Sequence, residues 1–123
     1  MKEGIILLGH GSRRKEANEE IRQITELFKK NNNDKVYETA FLSNAKPDME
    51  EAADILVSKG IEKIVMMPVF LVEGIHIKED IPEVIEKLKN KYPNIEFLIA
   101  KHIGPHPSLV NIVQERIDEA AGS

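Results

Sequence analysis

The sequence predicts an α/β fold: one three-layer domain spanning residues 1–123, with a four-stranded parallel sheet flanked by helices. Three observations predict it. Ile5-Ile6-Leu7-Leu8 and Ile64-Val65-Met66-Met67 are short unbroken apolar runs, the pattern of strands covered on both faces. A strand-like stretch is followed by a helical period four times over, which calls for right-handed crossovers and parallel pairing. Turn residues punctuate the alternation, as in Asn31-Asn32-Asn33-Asp34 and Pro93-Asn94, with no internal repeat, linker or low-complexity stretch. The expected strand order is 2-1-3-4, the flavodoxin-like arrangement, with its switch point between strands 1 and 3.

Strand 1 is predicted over about residues 3–8 and helix 1 over about 13–30, where Ala17, Ile21, Ile24 and Phe28 recur at helical spacing and Ser12 suits the N-cap. Strand 2, about 35–42, carries Tyr37, Glu38 and Thr39 and suits a sheet edge. Helix 2 is expected to begin with Pro47 at its first position and to end at Gly60, with Met49, Ala52, Ala53 and Leu56 as its apolar stripe. Strand 3, about 61–67, reads as buried on both faces and runs into Pro68-Val69-Phe70-Leu71-Val72-Glu73-Gly74-Ile75-His76, too apolar for an ordinary loop. Helix 3 is placed at about 77–91, with Ile81, Ile85, Leu88 and Tyr92 aligned and Pro82 in its first turn. Strand 4, about 95–100, precedes Gly104-Pro105-His106-Pro107 and a last helix that aligns Val110, Val113, Ile117 and Ala120.

Composition narrows the chemistry. The absence of cysteine removes disulfides, thiolate metal sites and a cysteine nucleophile. A formal net charge of −4 gives no global attraction to nucleic acid or anionic lipid. No apolar run is long enough to span a bilayer, and Met1-Lys2-Glu3 leads directly into strand 1 without room for a signal peptide, so the expected location is the cytoplasm.

The stretch most suggestive of chemistry is Gly9-His10-Gly11-Ser12-Arg13, which leaves one imidazole at the carboxyl end of the predicted central strand, where open α/β sheets bind ligands. The glycines free the backbone and invite close approach of a ligand. In the predicted order His76 follows the neighbouring strand, so the two histidines share one edge. Neutral imidazoles suit cobalt, nickel, zinc or iron(II), and they accept protons near neutral pH. Glu38 and Glu73 are carboxylates able to complete such a site. Arg13, Arg14, Lys46, Lys78 and Lys101 would make the mouth locally positive, and Phe70-Leu71-Val72 would supply an apolar wall. Together these suit a large aromatic macrocycle bearing carboxylates.

Plainer readings stand beside these. A histidine at a strand end is most often a hydrogen-bonding surface residue; two at neighbouring strand ends, one of them between glycines, favour a shared site. His102 and His106 straddle Gly104-Pro105, share no helical face and read as structural or peripheral. The 69–75 stretch also suits a subunit interface. No lysine follows Gly9-His10-Gly11-Ser12 as a phosphate-binding loop requires, Ser12 lacks the G-x-S-x-G elbow, and no acidic cluster follows strand 1.

Gly9-His10-Gly11-Ser12-Arg13, together with Pro68-Val69-Phe70-Leu71-x-x-Gly74-Ile75-His76-x-x-x-Asp80-Ile81-Pro82, resembles the class II tetrapyrrole chelatases, and among them the small archaeal-type CbiX group, over essentially the whole chain. The resemblance implies insertion of Co²⁺ into sirohydrochlorin on the anaerobic route to cobalamin, with Ni²⁺ toward coenzyme F430 as a further activity. It implies His10 as metal ligand and proton acceptor and His76 as second metal ligand. Lys46, Leu71, Val72, Glu73, Gly74, Ile75 and His76 would contact the macrocycle, with Glu38 an auxiliary carboxylate. The metal would be a substrate, with no organic cofactor, and the half-length chain would act as a homodimer. A sirohydrochlorin ferrochelatase is compatible with the same ligands, and a non-catalytic metal or tetrapyrrole carrier is the alternative of a different class.

Overall fold

In the computed structural model, which describes residues 3–32 and 34–122, four parallel strands pair in the order β2-β1-β3-β4. They are β1 (Glu3–Gly9), β2 (Lys35–Phe41), β3 (Lys63–Pro68) and β4 (Glu96–Ile99), alternating with α1 (Lys15–Asn31), α2 (Met49–Ser58), α3 (Ile75–Lys91) and α4 (Leu109–Ala121). The expected topology therefore stands. Asn33, within the predicted turn cluster, and Met1, Lys2 and Ser123 lie outside the described residues.

Alternation along the strands divides the core in two. Ile6 and Leu8 of β1, Ala40 of β2, Ile64 and Met66 of β3 and Phe97 of β4 form one buried cluster with Met49, Ala52, Ala53 and Leu56 of α2 and Ile81, Ile85 and Leu88 of α3. Those helical residues are the apolar stripes read from the sequence. On the opposite face α1 packs against β1 and β2. Its fully buried residues are Asn18 and Thr25; of the predicted stripe, Ile21 and Ile24 are half-buried, while Ala17 and Phe28 are exposed. Thr25 is satisfied there by the hydroxyl of Thr39 at 2.7 Å, so burying two polar residues leaves no unmet group.

Over β3 and β4 that same face is bare. Val65 and Met67 are only half-buried and Leu98 is exposed, so the run Ile64–Met67 is covered on one side, not two. The helix expected to cover it, α4, has its apolar stripe but buries no residue.

Helix ends also depart from expectation. Arg14, not Ser12, is the N-cap position of α1; the Ser12 hydroxyl accepts the Arg14 N–H at 3.0 Å. α2 starts at Met49 behind Asp48, whose carboxylate accepts the Glu51 N–H at 2.8 Å while Glu51 accepts the Asp48 N–H at 2.9 Å. Pro47 thus precedes the helix, and its peptide bond to Lys46 is cis. Gly60 does end the helix with a left-handed φ of 84°. α3 starts two residues early, after Gly74, so His76 lies within its first turn and Pro82 in its interior.

Candidate active site

Parallel strands bring all their carboxyl ends to one edge, and the loops that leave it are tied together by backbone hydrogen bonds. Ser43 N–H donates to the carbonyl of His10 at 3.1 Å, Val69 N–H to Leu8 at 2.8 Å, and Ile103 N–H to Phe70 at 3.0 Å. The residues after β1 are further clamped by Asn18, whose buried side chain takes the Ser12 N–H and donates to the Ser12 carbonyl, both at 2.8 Å. Nothing in a sequence reading singled out Asn18; the available signal was a polar residue standing in the helical stripe nearest the Gly-His-Gly turn.

The glycines around His10 serve the chain itself. Gly11 has φ 88°, and a Cβ there would lie 1.6 Å from the Ser43 carbonyl oxygen. A Cβ on Gly9 would lie 2.9 Å from Ile21. Close approach at this turn is therefore by neighbouring protein groups, where the sequence had suggested a ligand.

His10 is exposed, and its ring rests on Phe70 with centroids 4.0 Å apart and an interplanar angle of 35°. Phe70 is buried in the core, so the imidazole leans on a fixed aromatic support. Beyond Phe70 the chain turns outward. Leu71, Val72 and Ile75 are 61%, 79% and 75% exposed, a concentration of apolar surface in the segment that follows the ring supporting His10. Gly74 caps α3 with an extended backbone and open space around it. The backbone of His76 lies in the first turn of α3; its side chain lies outside the described residues.

The two carboxylates named from sequence separate. Glu38 pairs in register with Ile6, three residues (about 10 Å) before the end of β2, and its carboxylate lies 3.6 Å from Lys59 at the end of α2. It does not join the edge where His10 sits, because position along a strand, not membership of it, decides which end a side chain serves. Glu73 stays near the edge but turns inward to the Nδ1 of His102 at 3.7 Å, both side chains being largely buried. His102 thus has a carboxylate partner on the neighbouring loop, while the His106 ring accepts the Ser108 N–H.

Lys46 extends into solvent and reaches Glu51 at 3.2 Å, while its carbonyl accepts from Arg22 at 3.1 Å. The backbone N–H of Asp48, followed by the Lys46 ammonium, holds the Glu51 carboxyl below its ordinary range. Arg13, Arg14, Lys46, Lys78 and Lys101 are all exposed on the loops and helix starts of this edge. Among the described residues no three His, Cys, Asp or Glu gather around one point. The edge thus offers an exposed imidazole on an aromatic support, an apolar strip following that support and a cationic rim.

A family model for CbiX matches residues 4–120. The chain is 34% identical over 126 residues to the sirohydrochlorin cobaltochelatase of Methanococcoides burtonii, covering 96% of each protein. It is 33% identical over 115 residues to the chloroplastic sirohydrochlorin ferrochelatase of Arabidopsis thaliana, covering 94% of this chain and 51% of that one. The crystal structure of the sirohydrochlorin chelatase SirB from Bacillus subtilis subspecies spizizenii in complex with cobalt superposes with a TM-score of 0.89 at 34% identity, over 97% of this chain and 51% of that one. The chain therefore spans about half the length of the Arabidopsis and Bacillus proteins and nearly all of the Methanococcoides one. With this fold, this edge and a family model matched along nearly its whole length, the chain belongs to the CbiX family.

Proposed function

We propose that this chain is a sirohydrochlorin chelatase that inserts Co²⁺, acting as a homodimer in the cytoplasm. The observation that carries the reading is the exposed His10 imidazole, seated on Phe70 at the end of the central strand, with the exposed apolar strip of Leu71, Val72 and Ile75 following that ring. Metal insertion requires three things of a protein. It must bind an apolar ring system that bears carboxylates, receive the metal as it loses water, and take up the protons that leave the pyrrole nitrogens. The apolar strip and the cationic rim answer the first, and His10 with His76 the second. The His10 imidazole answers the third, as an acceptor for the departing protons. Leu71 through His76, with Lys46, are the proposed macrocycle contacts; the proposed metal ligands are His10 and His76.

The full-length match to a cobaltochelatase favours Co²⁺ as the metal substrate. The ferrochelatase of Arabidopsis, at similar identity, makes Fe²⁺ the second reading, and Ni²⁺ belongs in the same assay because imidazole accepts all three.

The test is anaerobic absorbance of sirohydrochlorin with Co²⁺, Fe²⁺ or Ni²⁺ and catalytic amounts of the protein. Multiple turnovers with Co²⁺ are expected. Loss of about 10²-fold or more in rate is expected in both His10→Ala and His76→Ala. Stoichiometric binding without turnover for any of the three metals would replace the enzyme by a carrier.

A further inference from the structure

We propose that His102 is a positioning residue for segment 71–76: it keeps the Glu73 carboxylate turned into the protein, so that Leu71 and Val72 face outward and Lys78 and Lys101 keep their charge for the ligand. The inference rests on the macrocycle reading of that segment and gives one of its members, Glu73, a part of its own. A carboxylate in a segment as open as this one would ordinarily point into water. Leu71, Val72 and Ile75 around it are 61%, 79% and 75% exposed, whereas the side chain of Glu73 is 20% exposed. It turns toward the Nδ1 of His102, 3.7 Å away and equally withdrawn from solvent. Among the described residues neither side chain has another polar partner.

The chain is pinned on both sides of the exposed pair. On one side Phe70 is buried, and its carbonyl accepts the Ile103 N–H at 3.0 Å. On the other, Glu73 meets His102, the residue just before Ile103. Two adjacent residues therefore hold both feet of an arch whose crown is Leu71 and Val72. Their own stretch is fixed in turn, since the Ala100 N–H donates to Met66 at 2.9 Å. Behind the ring stands Gly104, buried and with φ 58°; a Cβ there would lie 3.3 Å from the His102 Nε2. The ring lies against Gly104 and faces Glu73 with Nδ1. At 3.7 Å the pair is an electrostatic contact, longer than a hydrogen bond. The carboxylate favours the tautomer with its proton on Nδ1, so the ring offers a donor whether neutral or charged.

Charge gives the pair a second consequence. Glu73 and His102 line one groove together with Lys78 and Lys101. Released by His102, the carboxylate would find its partners in those two ammonium groups, and pairing with either would take a charge from the cationic rim. Crown and rim both serve binding of the macrocycle. Phe70, which supports His10, is held by a backbone bond that a change of the His102 side chain leaves in place.

The test is a double-mutant cycle on the full chain, read by titration of metal-free sirohydrochlorin and, separately, by anaerobic turnover with Co²⁺. His102→Ala is expected to weaken macrocycle binding, and to raise the KM for sirohydrochlorin, about tenfold. The kcat and the KM for Co²⁺ should be little changed. In a Glu73→Ala background the same substitution is expected to alter binding by less than about twofold, since the group it would release is already gone. His102→Asn, whose amide nitrogen stands where Nδ1 stands, is expected to bind within about twofold of wild type. An effect of His102→Ala that persists in full without Glu73, a fall in kcat with binding unaltered, or no rescue by His102→Asn would overturn the positioning role. A wild type that binds the macrocycle but inserts no metal would overturn the enzymatic reading, while the binding cycle still decides this one. A wild type that binds no macrocycle would overturn both.

Discussion

At Gly11 the chain has no alternative to glycine, and the reason can be divided into measurable parts. A side chain in the left-handed region costs about 1–2 kcal/mol wherever it occurs. Gly60 isolates that part, since it has φ 84° and open space around it. Gly11 adds the collision with the Ser43 carbonyl, and relieving it would break the bond from Ser43 N–H to His10, a further loss of about 1 kcal/mol before any repacking. Gly60→Ala should therefore destabilise by about 1–2 kcal/mol in urea unfolding, and Gly11→Ala by about 2–3 kcal/mol or more. Gly11→Ala should also depress turnover, because the residue beside it is His10. Equal costs at the two positions would show that the turn yields freely and that its glycine is not required by Ser43.

Elements were legible where their partners are regular. The stripes of α2 and α3 were read correctly because each faces an apolar sheet at constant period, and the strand order followed from the alternation together with the edge character of strand 2 and the flavodoxin-like arrangement. The same periodicity located α4 but could not say what covers it, since an amphipathic pattern reports a face and not its occupant. α1 was read only in part: Ile21 and Ile24 of its stripe are half-buried, but Asn18 and Thr25 are buried through specific hydrogen bonds, invisible to a hydrophobic pattern. At the edge, His10 stood out through its glycines. Its seat on Phe70 and the approach of Glu73 to His102 depend on distances between loops remote in sequence. A comparable long-range contact joins α2 to the end of α3, where the Tyr92 hydroxyl donates to Asp54. That bond, with help from Lys91, holds the Asp54 carboxyl below its ordinary range; the same bond to Asp54, against the opposing Lys91 charge, raises the Tyr92 hydroxyl above its own. A carboxylate lowered in the folded state contributes stability that is present above its unfolded pKa and is lost as pH falls through the folded one. Tyr92→Phe should lower the thermal midpoint at pH 7, and the gap from wild type should narrow below about pH 4. A gap constant down to pH 3 would show that the hydroxyl acts through packing instead.

For the molecule as a whole, charge is distributed against its own sum. The net charge is −4, yet the loops and helix starts of the carboxyl edge expose Arg13, Arg14, Lys46, Lys78 and Lys101. Part of this is neutralised locally, Arg14 by Glu16 at 3.8 Å and Lys46 by Glu51 at 3.2 Å. Lys78 and Lys101 line one groove with Glu73, Ile99 and His102. A ligand with several carboxylates would meet their field before it met any specific contact. In water a unit charge about 10 Å away contributes about 0.4 kcal/mol per ligand charge, and at 0.1 M salt screening acts over about that same distance. Reversing both lysines changes the local charge by four units, so Lys78→Glu/Lys101→Glu should raise the KM for the proposed substrate, sirohydrochlorin, about tenfold at low salt, even for one ligand charge. Wild-type KM should itself climb with added NaCl, and the climb should flatten in the variant, with kcat little altered in both. A wild-type KM independent of salt from 20 to 500 mM would mean that the cationic rim does not attract the substrate and that the apolar strip after Phe70 binds it unaided.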